Sequence, residues 1–229
     1  MRVSIVIPAY NEARDLPACL ESLARQTSAP FEVIVVDNNS SDDTALIAKH
    51  HDARVISEKN QGIACARTTG FDAARGDIIA RTDADCEVAT DWVEVIQRTF
   101  MTHPHVDALR GDMEFAELGQ GNRLIRPLYY MLRRWHEGKF GGEPILYGAN
   151  FALRRSSWQQ VRSQARLLQD SLSEDIELSL LVRTHGTILS VPEMRITTKL
   201  IDFLQPLKLV RYNRSDRMIA RRQKGRWRE

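Results

Sequence analysis

Cysteine is scarce in this chain of 229 residues: Cys19, Cys65 and Cys86 are scattered and odd in number. That pattern excludes a disulfide framework and offers no Cys-x-x-Cys metal pair, so the three read as small core residues in a reducing compartment. No apolar run approaches the ~20 residues of a membrane-spanning helix, and the N-terminus lacks the basic-then-apolar order of a secretory signal. A cytoplasmic location is therefore expected. Glycine is missing from "PAYNEARD", the loop after the first apolar run. This removes the glycine-rich phosphate loop of a nucleotidyltransferase and the G-x-G-x-x-G of a dinucleotide oxidoreductase. The six histidines show no ligand spacing, and there is no internal repeat.

What remains is the composition of a globular protein, 43% hydrophobic and 27% charged, with enough apolar residues for one sizeable core. The net charge of +2 is unevenly spread: residues 208–229 hold nine Lys/Arg against Asp216 and Glu229, leaving an acidic excess in 1–207.

Short β-branched runs alternate with segments of helical spacing. Val3–Ile7, ended by Pro8, Phe31–Val36, Arg54–Ile56 and Ile78–Thr82 read as buried strands. Leu16–Leu23, Ala45–His50, Ile63–Ala74 and Trp92–Phe100 read as helices. Such alternation predicts β-α-β units with a mostly parallel sheet covered by helices on both faces. Beyond residue 105 the pattern loosens: a strand over 108–115, an amphipathic helix around Pro127, a short strand in "GANFALRR", a helix over 171–185, and strands over 188–191 and 194–197.

In a sheet of this kind, ligands collect beyond the carboxyl ends of the strands, at the switch point of strand order. Pro8 to Glu12, Asp37 to Ser40 and Asp83 to Asp85 each follow such an end and are expected to converge. Asp83-Ala84-Asp85 sets two carboxylates one residue apart where a buried strand surfaces. A solvated turn would explain them, but so would a hard divalent cation, whose preferred ligands are carboxylate oxygens.

Five segments, in order, "VSIVIPAYNE", "EVIVVDNNSSDDT", "NQGIACARTTGFDAARGDIIARTDADCEV", "YGANFALRRSSW" and "LSEDIELSLLVRTHG", resemble the family 2 glycosyltransferases of the GT-A fold. The resemblance covers residues 2–192. It implies a single GT-A domain over 1–207, with a nucleotide-sugar-binding half (1–105) and an acceptor-side half (106–207), followed by the basic tail 208–229. It also implies inverting transfer of a sugar from a nucleotide-diphosphate sugar to a hydroxyl of a saccharide or lipid-linked acceptor, with manganese or magnesium. Asp85 is then the direct metal ligand, while Asp83 faces the ribose or a metal-bound water. Ala9, Tyr10, Glu12, Asp37, Arg67, Asp83 and Ala84 fall on the donor side. For Tyr10, stacking on the base competes with plugging the loop; for Arg67, a cation near base and phosphates competes with a solvated helix face. Thr68 departs from the family's usual Asn.

By the same resemblance Asp175 is the general base and Glu174 takes an acceptor or supporting role. Gly148, Ala149 and Asn150 form the acceptor loop. Sequence physics alone also allows Ser171-x-x-Glu174 as a capping box, with acids favoured in a first helical turn. The basic tail suits peripheral contact with an anionic membrane, or else a partly packed helix with a soluble end. Its Gln223, Arg226 and Trp227 match a Gln-x-x-Arg-Trp motif of processive members. No nucleic-acid recognition module accompanies it. A catalytically silent nucleotide-sugar binder or scaffold of a glycan-assembly pathway is the alternative function.

Overall fold

The computed structural model describes residues 1–166, 173–200, 215, 216 and 219. The tail motif Gln223, Arg226 and Trp227, and Ser171 of the capping box, lie outside the described residues. Strands β1 (Val3–Ala9), β2 (Glu32–Asp37), β3 (Arg54–Ser57) and β4 (Ile78–Thr82) alternate with helices α1 (Leu16–Ala24), α2 (Thr44–His50) and α3 (Ile63–Ala73). Then follow β5 (Glu87–Val88), α4 (Trp92–Thr102), β6 (Ala108–Phe115), α5 (Asn122–Gly138), β7 (Asn150–Arg154), α6 (Arg155–Arg166), α7 (Glu174–Arg183) and β8 (Ile188–Thr198).

The eight strands form one sheet in the order β3-β2-β1-β4-β7-β6-β8-β5. β1, β2, β3 and β4 are mutually parallel, and β7 runs antiparallel between β4 and β6. Strand order reverses at β1, with β2 on one side and β4 on the other, so the crevice expected at a switch point opens there. Because β7 is antiparallel, its first residue Asn150 stands opposite Thr82, the last of β4. The start of β7 and the end of β4 thus share one edge of the sheet.

Side chains of β1 divide by parity. Val3, Ile5, Ile7 and Ala9 pack with α1 and α4 through Leu16, Leu20, Leu23, Trp92 and Ile96. Val6 joins Ile34 and Val36 against Phe71, Trp158 and Leu178 on the opposite face. This period of two, apolar on both sides, marks a strand buried between helical layers.

Three local expectations change. Pro8 does not end β1, which continues to Ala9; the β4 ladder stops at Val6 and Arg81, so β1 is paired only with β2 at the proline. The two strands expected over 188–197 are one, with the register on β6 jumping from Arg110↔Ser190 to Asp112↔Arg195, so the Pro192 segment is accommodated as a bulge. Helix α6 and strand β5 had no counterpart in the sequence reading.

Candidate active site

The loops after β1 and β2 are sewn together by short polar side chains. Asn11 Oδ1 accepts from Ser41 N at 2.8 Å, and Ser40 Oγ accepts from Asn11 N at 3.0 Å. Thr44 Oγ1 accepts from Glu12 N at 2.8 Å. Asn38 reaches across to the loop before α3, donating to Glu58 O and Asn60 O and accepting from Gly62 N at 2.7 Å. Gly62 precedes α3 with φ 145°, a conformation that disfavours any residue with a Cβ. These bonds frame a cleft of about 740 Å³ lined by Pro8, Ala9, Tyr10, Glu12, Asn38 and Ala66, among others. Ala9, Tyr10 and Glu12, expected on the donor side, share this one cleft. Tyr10 is 50% exposed, so it does not plug its loop. The half-buried Asp37 accepts from Ser40 N at 3.1 Å, a turn-stabilising bond that leaves further acceptor capacity.

Arg67 corrects an expectation. It is neither solvated nor turned to the cleft wall with Ala66: at 1% exposure, its guanidinium donates to the Glu174 carboxylate and to Glu174 O. A carboxylate buried to 4% exposure demands counter-charge, and it recruits a second arginine as well, Arg81 of β4. Although burial alone would raise it, the Arg67 and Arg81 charges hold the Glu174 carboxyl below its ordinary range. It is thereby withdrawn from solvent. The described start of α7 is not a capping box: Ser173 Oγ donates to Asp216 Oδ1 at 2.7 Å instead of capping the helix.

Arg81 is the functional candidate that sequence reasoning missed. One guanidinium nitrogen binds Glu174; the other donates to Asp83 Oδ1 at 3.1 Å. Gly148 packs against the same group: a Cβ there would lie 2.8 Å from Arg81 Nη2 and would push the guanidinium aside. The Gly148 N–H donates to Asp175 Oδ2 at 3.0 Å. One buried side chain therefore ties the acid pair after β4 to the start of α7. The available signal was a lone arginine inside Ile78–Thr82, a strand every residue of which is buried.

The half-buried Asp175 has its pKa raised to about 6. Burial is the main cause and the neighbouring Glu174 charge the next, partly offset by N–H bonds from Gly148 and Ile176. The Arg81 charge also pulls it down, without cancelling burial and the Glu174 charge. A carboxyl poised near neutrality is what general-base chemistry requires.

Of the expected acceptor loop, Gly148 and Ala149 are half-buried, whereas Asn150 is buried and occupied. Asn150 donates to Asp112 O and Met194 O, both at 2.7 Å, and accepts from Trp92 Nε1 at 2.9 Å. Its amide joins β6, β8 and α4 and does not reach for a sugar.

Asp83 and Asp85 are half-buried on either side of buried Ala84. Behind them, burial first, and then the charges of Asp83, Asp85 and Glu87, push the Cys19 thiol far above its usual pKa. The two carboxylates supply an all-oxygen donor set, which fits a hard divalent cation. Among the described residues no group of three or more His, Cys, Asp or Glu could hold an ion. Further ligands would come from water and the donor's phosphates, the usual pattern for magnesium-like sites.

The family model "Glycosyl transferase family 2" matches residues 4–162. Among curated relatives, glycosyltransferase AglE of Haloferax volcanii is 36% identical over 132 residues, 54% of this chain and 43% of that protein. An uncharacterized glycosyltransferase of Haemophilus influenzae is 36% identical over 199 residues, 83% of this chain and 66% of its own length. The chain thus spans less than half of AglE. Mannosyltransferase PcManGT from Pyrobaculum calidifontis, solved with GDP-Man and Mn2+, superposes with a TM-score of 0.68 at 22% identity, covering 87% of this chain and 57% of that one. Glucosyl-3-phosphoglycerate synthase of Mycobacterium tuberculosis, solved with Mn2+, UDP and glucosyl-3-phosphoglycerate, gives 0.60 at 19% identity, covering 90% and 76%. At these identities the likeness is one of fold, and the fold is GT-A. The matched stretch runs from β1 into α6, more than half of the chain, and the protein belongs to glycosyltransferase family 2.

Proposed function

We propose that the protein transfers a sugar from a nucleoside-diphosphate donor to an acceptor hydroxyl with inversion at the anomeric carbon. The observation that carries this reading is the Arg81 bridge, which fastens Asp83 of the acid pair and Glu174 beside Asp175 with one buried guanidinium. The donor's nucleoside occupies the cleft, where Tyr10 stacks on the base, Glu12 and Ala9 line the wall, and Asp37 accepts from a ribose or base donor. Asp83 and Asp85 would hold a manganese or magnesium ion, which when bound would offset charge growing on the leaving diphosphate. Asp175 accepts the acceptor hydroxyl's proton as the new C–O bond forms. The bond to the diphosphate breaks on the opposite face, and the nucleoside diphosphate departs with that electron pair. Gly148 and Ala149 shape the acceptor side, Gly148 by holding Asp175 in aim.

The test is a panel of nucleoside diphosphates and nucleotide sugars titrated by calorimetry with and without manganese, followed by NMR of the anomeric configuration in any product. Manganese-dependent binding that is lost in Asp85→Ala, with an inverted product, is expected. Binding indifferent to both the ion and Asp85, or a product of retained configuration, overturns the assignment.

A further inference from the structure

Helix α5 is amphipathic in the opposite sense from the core helices: its polar side faces the protein. Arg126 and Arg133 bond Asp112 at 3.3 and 3.1 Å, and Tyr130 Oη donates to the same carboxylate at 2.5 Å. Glu137, the only buried residue of the helix, takes Arg110. The outward side carries Leu124 at 84% exposure, Leu128 at 53%, Met131 at 59%, Leu132 at 53% and Trp135 at 66%. Intervals of three, four and one residue put all five on a single stripe. From Leu124 to Trp135 the stripe runs about 17 Å along the helix, longer than scattered surface hydrophobics explain.

The stripe's borders are cationic. Arg123 and Arg134 are exposed along one side, and Lys139 Nζ sits 3.9 Å from the Trp135 ring centroid on the other. The sole acid of α5, Glu137, points inward and is matched by Arg110. An exposed face that combines Leu, Met and Trp with arginine and lysine, and lacks acids, is complementary to one kind of surface. We propose that α5 lies flat on an anionic lipid bilayer, its stripe among the acyl chains near the interface and its basic borders on the headgroups. A second copy of the chain is a poorer occupant: two-fold pairing along this helix would set Arg123 and Arg134 against their own copies. The helix lies on the surface rather than crossing it, for no described helix is long and apolar enough to span a membrane. The basic residues of 208–229 would add to the same attraction but are not needed for it.

Vesicle flotation tests this with phosphatidylcholine alone and with added phosphatidylglycerol. The intact chain is expected to float with the anionic vesicles only, with a blue shift of tryptophan emission that Trp135→Phe abolishes. Leu128→Glu combined with Trp135→Glu should cut the bound fraction roughly tenfold or more, while leaving the melting temperature unchanged because both side chains are exposed. Arg123→Glu with Arg134→Glu should weaken binding and flatten its salt dependence. The proposal is overturned if the intact chain does not float. It also fails if the Leu128→Glu/Trp135→Glu variant floats as well as the parent, which would assign binding to another surface. Light scattering that finds a dimer dissolved by that variant would give the stripe to a second copy instead.

Discussion

The loops after β1 and β2 and the junction of β4, β7 and α7 both build the site, yet they are held by different forces. In the first region, backbone N–H groups are satisfied by Asn11, Asn38, Ser40 and Thr44, short side chains within 24 to 32 residues of their partners. In the second, buried charges pair across 93 and 107 residues, Arg81 and Arg67 with Glu174. Hydrogen-bonded loops can lose a contact to water and persist. A buried ion network cannot, because the partner left behind remains charged in a poor solvent. The cleft loops are thus built to tolerate local change, and the proposed catalytic junction to be unforgiving.

The sharpest way to break this contrast is Arg81→Met, which removes the shared counter-charge while roughly keeping volume. The expected loss is about 3–5 kcal/mol of folding stability, measured by urea unfolding at constant m-value. A loss under about 1 kcal/mol would mean that the junction is no more demanding than the loops. Next in size, Asp175→Asn should reduce turnover by about 100-fold or more, worth about 3 kcal/mol of barrier, with donor affinity retained. Near-normal single-turnover rates would remove Asp175 from the chemistry and leave its raised pKa as a side effect of burial.

The same contrast explains what the sequence disclosed. Strands such as Ile78–Thr82 and turn-rich stretches such as "NNSSDDT" announce themselves through neighbours a few residues away, and the parallel half of the sheet was readable from them. Asp83, Asp85 and Asp175 stand out through the family resemblance and their place at element ends. Partners of Arg67, Asn150 and Glu174 were not readable, because each bond joins residues that only the fold brings together. Arg81 is a lone charge in an apolar run; only its partners in the fold show that it joins the acid pair to the start of α7.

The pH dependence sharpens the comparison further. Raised to about 6, Asp175 must lose its proton to act as base. Turnover on the donor-saturated enzyme should therefore fall about tenfold per pH unit below about 6 and level off above it. Glu174→Gln removes the adjacent negative charge and leaves Arg81 and Arg67 facing Asp175, so its acid limb should move to lower pH. An unmoved limb would show that burial alone sets the shift and that the ion network does not reach the base.

The smallest effect belongs to the donor side. Thr44 is fully buried, and its hydroxyl accepts from Glu12 N at 2.8 Å while donating to Asp42 Oδ1 at 2.5 Å. Thr44→Val keeps the shape and deletes both bonds. Because the bond from Glu12 N is only part-buried, the cost should be near the low end for a lost hydrogen bond, about 1 kcal/mol. Glu12 lines the cleft and not the junction, so the slackened loop should raise KM for the donor several-fold and leave kcat unchanged, the pattern of lost ground-state binding. If kcat falls while KM holds, the loop's hydrogen bonds position reacting groups, and the division between a forgiving donor side and an unforgiving catalytic junction is wrong.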